Sequence, residues 1–289
     1  MGESLMTTPP PDGSRDRRIE DPSNRWLIHP LAQALVSPAI RAGVSANAVS
    51  LTGLAFGIGA VFAYAHWTNL WLVLLGLALT LCWLVADGLD GKLARATGTA
   101  SAFGRFLDGV CDHLIFVLIY VALAWSIGTV QAWTLAILAG AAHAAQSALY
   151  EGERYRFHRR LKGEALVVPP APSANPLVRA YDALAGSIDR LSRPFEAALA
   201  TAPDPRHFGR VYGEAAWAPM RFAALLSANM RVFAIFLACL IARPQLFWWF
   251  ELVPLTVVAV TGLVWHRRVE QRFTQAPRPQ AGERPHLTA

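Results

Sequence analysis

The sequence predicts an all-α integral membrane protein with six transmembrane helices, preceded by a juxtamembrane amphipathic segment. Three observations carry this reading. Of 289 residues, 54% are hydrophobic and only 16% are charged, which excludes an ordinary soluble domain. Residues 42–86 and 113–150 contain no Asp, Glu, Lys or Arg. Each run is long enough for two spans of ~20 residues with a turn between them. Arg and Lys crowd the N-terminal arm, residues 87–105, residues 151–221 and the tail after His266; Arg243 is the exception on the opposite side. The positive-inside rule then places both termini and the 87–105 connection in the cytoplasm.

Residues 1–24 are polar, with three consecutive prolines and mixed charge. They read as a disordered arm rather than a cleavable signal peptide. In residues 25–43, Trp26, Leu27, Leu31, Leu35, Val36 and Ile40 recur at helical spacing, while Pro30 and Pro38 prevent one straight helix. This segment is expected to lie broken on the membrane surface. The membrane domain follows over 44–266. Ser45 to Thr52 opens its first span; these small polar residues either cap the helix or, Asn47 among them, contact a ligand. Gly53, Gly57 and Gly59 permit close helix approach. His66 to Asn69 makes the first turn, and Leu70 to Ala86 the second span. Gly88 and Gly91 leave the backbone open beside Asp87 and Asp90. Residues 96–103 form a short connection, and Gly104 starts the third span. Ser126 to Gly128 turns into the fourth, which ends near Tyr150.

A long cytoplasmic connection, 151–218, comes next. Its Arg154, Arg156, Arg159, Arg160 and Lys162 read as an anchor to anionic lipid, with direct contact to a phosphorylated substrate as the other role. Residues 167–176 are a Pro-rich linker. Leu177, Tyr181, Leu184, Ile188 and Leu191 mark a surface amphipathic helix, and 200–218 read as irregular. The last two spans are 222–242 and 245–266, and 267–289 is a cytoplasmic tail. Arg231, midway through the fifth span, either faces a site or forms a structural ion pair. His143 and Asn229 suit interhelical hydrogen bonds, and Glu251 is expected near the outer interface. Cys82, Cys111 and Cys239 show neither disulfide nor zinc spacing and read as packing residues.

The chemistry concentrates in DGLDGKLARATGTASAFGRFLDGVCD, Asp87 to Asp112. Asp87 and Asp90 share one helix face, as do Asp108 and Asp112. Four carboxylates where two spans meet water repel one another unless a cation binds them, and hard divalent ions favour carboxylate oxygen. Metal ions would then bridge the cluster to a substrate's phosphates, as in two-metal phosphoryl transfer. A carboxylate not fully engaged by metal could take a proton from an attacking hydroxyl. A cation transporter with the cluster as its ion site is the alternative from a different class. A transport pathway favours carboxylates at mid-depth, however, and these sit at the ends of apolar runs.

The stretch resembles the signature of the CDP-alcohol phosphotransferase family: Asp87, Asp90-Gly91, Ala94-Arg95, Gly104, Asp108 and Asp112 stand at its fixed positions. The resemblance implies a six-span fold with the signature on the cytoplasmic side. It implies that Asp87, Asp90 and Asp108 hold two metal ions, Mg2+ or Mn2+. Asp112 would be the catalytic base and a further metal ligand. Gly91, Ala94, Arg95 and Gly104, with Asn47 nearby, would hold the cytidine nucleotide. Attack of an acceptor hydroxyl on the donor's β-phosphorus would release CMP. The expected donor is CDP-diacylglycerol, and a soluble CDP-alcohol with a lipid acceptor is the alternative. A small alcohol or polyol acceptor would sit near Arg154, Asn229 and Arg231. The resemblance also implies a homodimer in the lipid bilayer, a bacterial inner membrane being the expected place. No nucleic-acid partner is expected. The subfamily is not assigned by these residues.

Overall fold

The computed structural model describes residue 16 and residues 18–166 and 192–275. The side chains of Ala102, Arg105, Phe106 and Asp108 lie outside the described part. Among the described residues there is no strand. A π turn, Asn24–Ile28, leads into α1, His29–Arg41. There follow α2 (Ala46–Ala65), α3 (Leu70–Ala96), α4 (Ala102–Ile127) and α5 (Val130–Leu161). Helix α6 covers residues 192–200. The rest are α7 (Pro205–Ala223), α8 (Ala228–Leu240), α9 (Gln245–Phe250), a π turn (Glu251–Leu255) and α10 (Thr256–Gln275). The chain divides into two compact units. The first is Met1–Glu151 with Arg221–Thr261, the second Gly152–Met220 with Gly262–Ala289.

The helix boundaries follow from local chemistry. Ser45, Asn69 and Ser101 stand in extended conformation before α2, α3 and α4, and each side chain accepts a backbone N–H of the first turn. Gly128 ends α4 at φ +69°, a left-handed geometry that only glycine adopts cheaply. In the first unit α2 packs on α3 and α4, α1 on α3, and α3 on α8. Between membrane helices small residues rather than water exclusion draw backbones together. At Gly57 a Cβ would stand 2.3 Å from Ile115 Cδ1, so α2 and α4 approach only because that position is bare. Trp83, Phe116, Tyr120, Ile235, Phe247 and Trp248 fill the core. Phe62, Trp71, Val117, Trp125, Ile137 and Val257 are exposed on the helices' outer faces, as lipid contact requires.

Four helices among the described residues are long and apolar enough to cross a membrane: Ala46–Ala65, Leu70–Ala96, Gly109–Ile127 and Gln245–Gln275. The bent pair Pro205–Leu226 and Ala228–Leu240 makes a fifth if it is one span. The expected count of six is therefore reached only in part. Helix α5 occupies the place of the fourth span, but Gln131, His143 and Gln146 lower its apolar character. Helix α8, at 13 residues, is too short to cross alone.

Other expectations are corrected. Pro38 lies inside α1 without breaking it. The segment buries Ile28, Ala32 and Val36, the last two clustered with Ala86, Leu89 and Leu93 of α3, and exposes Trp26, Leu27, Leu31, Leu35 and Ile40. Of the arm expected to be disordered, Ile19 and Asp21 are buried, and Asp21 accepts a hydrogen bond from Ser227 Oγ at 3.0 Å. Residues 205–218, expected to be irregular, belong to α7, where Gly209, Tyr212, Gly213 and Ala216 form a buried stripe at helical spacing. Three of its four members are small and add little to a hydrophobic pattern. The amphipathic helix expected at 177–191 and the linker at 167–176 lie outside the described residues.

In the second unit the end of α5, residues 192–200, α7 and the end of α10 enclose an aromatic cluster of Phe195, Tyr212, Phe208 and Phe273. A Cβ at Gly209 would stand 2.3 Å from the Arg160 carbonyl, so α7 lies directly against the end of α5.

Candidate active site

The site is built from three helix ends of the first unit. Asp87 and Asp90 are a turn apart on α3, and Asp90 is 6% exposed. Ser50, on the first turns of α2, lies with its Oγ 2.5 Å from Asp90 Oδ2. Ser45 has the capping role, accepting from the Ala48 N–H at 3.2 Å. Thus within Ser45 to Thr52 one hydroxyl closes the helix and another reaches a carboxylate of the signature. Asp108 and Asp112 are a turn apart on α4; only the second has a described side chain. Asp112 is half-buried, and its Oδ1 accepts the indole N–H of Trp83 at 3.0 Å. Ser50 and Trp83 are neutral donors, which orient a carboxylate without cancelling its charge.

The glycines differ in role. At Gly104 a Cβ would face Ser101 Oγ at 3.3 Å and Asn47 Oδ1 at 3.5 Å, so α2 and α4 bring Asn47 and Gly104 together. At Gly91 the nearest neighbour is the Arg95 guanidinium, 3.4 Å from where a Cβ would be. Ala94 lies between them in sequence and is half-buried. Gly88, expected to open the backbone to a ligand, instead seats the N-terminal segment: Ala32 and Ile28 lie 3.4 Å from its Cβ position. Lys92 donates to Gln33 on α1 at 3.3 Å.

Arg231 is buried as a structural ion pair, the second of the two roles open to it. Its Nε donates to Glu251 at 2.9 Å, its Nη2 to Gln146 at 3.0 Å and its Nη1 to the Leu226 carbonyl. Glu251 is 0% exposed, so its charge is not solvated by water as a charge at an interface would be. Its charge is tolerated there because Arg231 matches it. Asn229 donates to Ser23 Oγ at 2.6 Å and Asn24 Oδ1 at 2.8 Å, tying α8 to the segment before α1. Arg154 is half-buried on α5 in the second unit.

The Arg run after Tyr150 is not a free lipid anchor. Arg156, Arg159 and Arg160 are buried. Arg156 binds Glu153 at 2.7 Å, Arg159 binds Glu196 at 2.6 Å, and Arg160 binds both Glu196 at 2.8 Å and Glu270. Arg267 bridges Glu153 and Glu270. His266 contacts Glu153 at 2.5 Å and Tyr212 at 2.6 Å. Glu153, His266 and Glu270 bring ligand atoms within 4.8 Å of one another, but guanidiniums already occupy both carboxylates, so the group is an ionic clasp and a poor cation site. Burial alone would raise the Glu153 carboxyl, yet the hydrogen bond and charge of His266 and the guanidiniums of Arg267 and Arg156 hold it well below the usual carboxylate range. Glu196 is likewise lowered, against its burial, by Arg159, Arg160 and the Leu166 N–H.

Residues 44–161, which carry Asn47 and the whole Asp87–Asp112 signature, match the model of the CDP-alcohol phosphatidyltransferase family. Over that stretch the chain is similar to this family. It is similar to a phosphatidylinositol phosphate synthase of Mycolicibacterium smegmatis, 32% identical over 99 residues, covering 34% of this chain and 41% of that protein. A phosphatidylinositol phosphate synthase of Mycobacteroides abscessus is 34% identical over 101 residues, covering 34% of this chain and 42% of the relative. An uncharacterized protein of Aquifex aeolicus is 34% identical over 101 residues, covering 33% and 49%. The chain thus spans about two fifths of the length of the named relatives. Outside the matched residues lie Asn229, Arg231 and most of the second unit.

Sequence reasoning missed Trp83. Its position four residues before Asp87 places it on the same face of α3, which was legible. That its N–H meets a carboxylate of α4 was not.

Proposed function

We propose that this chain is a multi-pass membrane enzyme that transfers a phosphatidyl group from CDP-diacylglycerol to the hydroxyl of a small polyol and releases CMP. The observation that carries the reading is the complete signature, Asp87 to Asp112, inside a matched family domain. Its Asp90 accepts from Ser50 Oγ and its Asp112 from the Trp83 N–H. The donor set is carboxylate oxygen, which fits Mg2+ or Mn2+. Asp87, Asp90, Asp108 and Asp112 would hold the ions. When bound, they would screen the diphosphate's charge and stabilise the leaving phosphate oxygen.

Asn47, Gly91, Ala94, Arg95 and Gly104 would receive the cytidine nucleotide: Gly91 and Gly104 leave space, and Arg95 supplies positive charge. The acceptor oxygen attacks the β-phosphorus, its proton passes to Asp112, and the bond between that phosphorus and the oxygen of CMP breaks. The named relatives point to a phosphorylated inositol as the acceptor to try first, with Arg154 as a candidate phosphate contact. The proposal includes six spans, with α5 and the bent α7–α8 pair completing the four clear ones. It also includes α1 lying at the membrane surface on its exposed Trp26, Leu27, Leu31 and Leu35, a cytoplasmic site in a bacterial inner membrane, and a homodimer. The Arg and Lys distribution supports the orientation.

The test is CMP release by detergent-purified protein with Mg2+ or Mn2+, CDP-diacylglycerol and one acceptor per well. Release in one well, abolished by chelator, is expected. No release there, nor with soluble CDP-alcohols and lipid acceptors, overturns the reading.

A further inference from the structure

Trp83 is 2% exposed, and its indole lies edge-on to Phe116 with ring centroids 5.5 Å apart. On its other side it meets α2 at Gly53, where a Cβ would stand 3.6 Å from Trp83 Cδ1. The ring is therefore wedged among α2, α3 and α4, and its N–H points in one fixed direction, to Asp112 Oδ1 at 3.0 Å. A donor in the plane of an immobile ring sets the position of the carboxylate oxygen that accepts it.

Two features separate this from the ordinary need of a buried tryptophan for a partner. Trp248, at 0% exposure in the same core, has no hydrogen-bond partner for its Nε1 among the described residues, so among these residues a buried indole N–H is tolerated with no acceptor. Moreover, Trp83 shares one face of α3 with Asp87 and Asp90, at i, i+4 and i+7. Its bond therefore ties the helix carrying the first two carboxylates directly to a carboxylate on the helix carrying the last two. Ser50 makes the corresponding tie from α2 to Asp90 at 2.5 Å.

We infer that Trp83 is a positioning residue for the transfer reaction: it fixes Asp112 and, through it, the register of α4 against the Asp87–Asp90 face of α3. This rests on the proposed role of Asp112. The test compares Trp83→Phe, which keeps the ring and removes the N–H, with Trp248→Phe, the same change where the N–H has no partner. Two readouts are taken on purified protein: Mn2+ affinity by titration calorimetry, and kcat and KM for CMP release.

Trp83→Phe is expected to lose about 10- to 100-fold in kcat or in Mn2+ affinity, with donor KM moving less than about 3-fold, while Trp248→Phe matches the wild type. Adding Asp112→Asn to Trp83→Phe should weaken Mn2+ binding no further than Asp112→Asn alone, because both changes act through one group. Trp83→Phe indistinguishable from Trp248→Phe in both readouts overturns the inference, as does full additivity with Asp112→Asn. Should the wild type release no CMP, the proposed function fails. The Mn2+ titrations then still decide on Trp83, since binding needs no turnover. Equal unfolding temperatures of the two Phe variants confirm that any loss is not one of folding.

Discussion

Asp112 and Asp90 are carboxylates with different supports, and the two should fail differently. Asp112 sits half-buried under an indole N–H. Asp112→Asn keeps the shape and removes the base proposed for the transfer. It is expected to abolish CMP release while cytidine nucleotide binding, measured by titration, stays within about 10-fold of wild type. Loss of both together would make Asp112 chiefly a metal ligand. Asp90 is more deeply buried and is held by Ser50. Ser50→Ala leaves the carboxylate in place but less well oriented. The metal concentration for half-maximal CMP release is then expected to rise about 10-fold, and an unchanged value would show that the hydroxyl serves only α2.

At the scale of the element, α2 meets α4 through a bare backbone. Gly57→Ala puts a methyl group 2.3 Å from Ile115 Cδ1 and should cost about 1–3 kcal/mol by overpacking. The unfolding temperature in detergent would fall, and Ile115→Val in the same chain, which removes Cδ1, should restore part of it. Helix α7 makes a related point. Its buried face of Gly209, Tyr212, Gly213 and Ala216 repeats at helical spacing, and Asp204-Pro205 before it is a start signal: the Asp204 carboxylate accepts the His207 N–H at 2.9 Å. Glycine and alanine carry little weight in a hydrophobic pattern, so a tightly packed helix reads as an irregular loop.

On the scale of the whole molecule, each unit is closed by buried charge. In the first, Arg231 and Glu251 meet at 2.9 Å with both side chains essentially unexposed. Arg231→Met should destabilise by about 3–5 kcal/mol because Glu251 is left charged and unmatched, and Arg231→Met with Glu251→Leu should recover most of it. Equal loss in the single and double variants would mean the pair itself is the stabiliser. In the second unit, Glu153 and Glu196 are held below their ordinary value of 4.5 by their Arg and His partners. Lowered carboxylates contribute stability that is full above the unfolded value and fades as pH falls below it. Unfolding temperature should therefore drop on going from pH 7 to pH 4, and Glu196→Gln, less stable at pH 7, should drop less. A wild-type profile flat over that range would contradict the clasp.

The membrane class, the helical fold and the carboxylate signature were legible in the sequence for one reason: each is a matter of composition and short-range spacing. Uncharged runs, Arg and Lys placement, and Asp residues three and four apart need no knowledge of which helices touch. What only the tertiary structure decided are the partners. Arg231 and Glu251 stand 20 residues apart and look like two separate problems until α8 and the π turn bring them together. Arg156, Arg159 and Arg160 look like a basic anchor until Glu153, Glu196 and Glu270 are seen against them. Trp83 looks like one more core aromatic until its N–H is found on Asp112, 29 residues away on the next helix. A charge or donor is cheap or costly, and structural or functional, according to what it faces. That is set by how helices pack, through bare positions such as Gly57 and Gly53, and not by the spacing along any one of them.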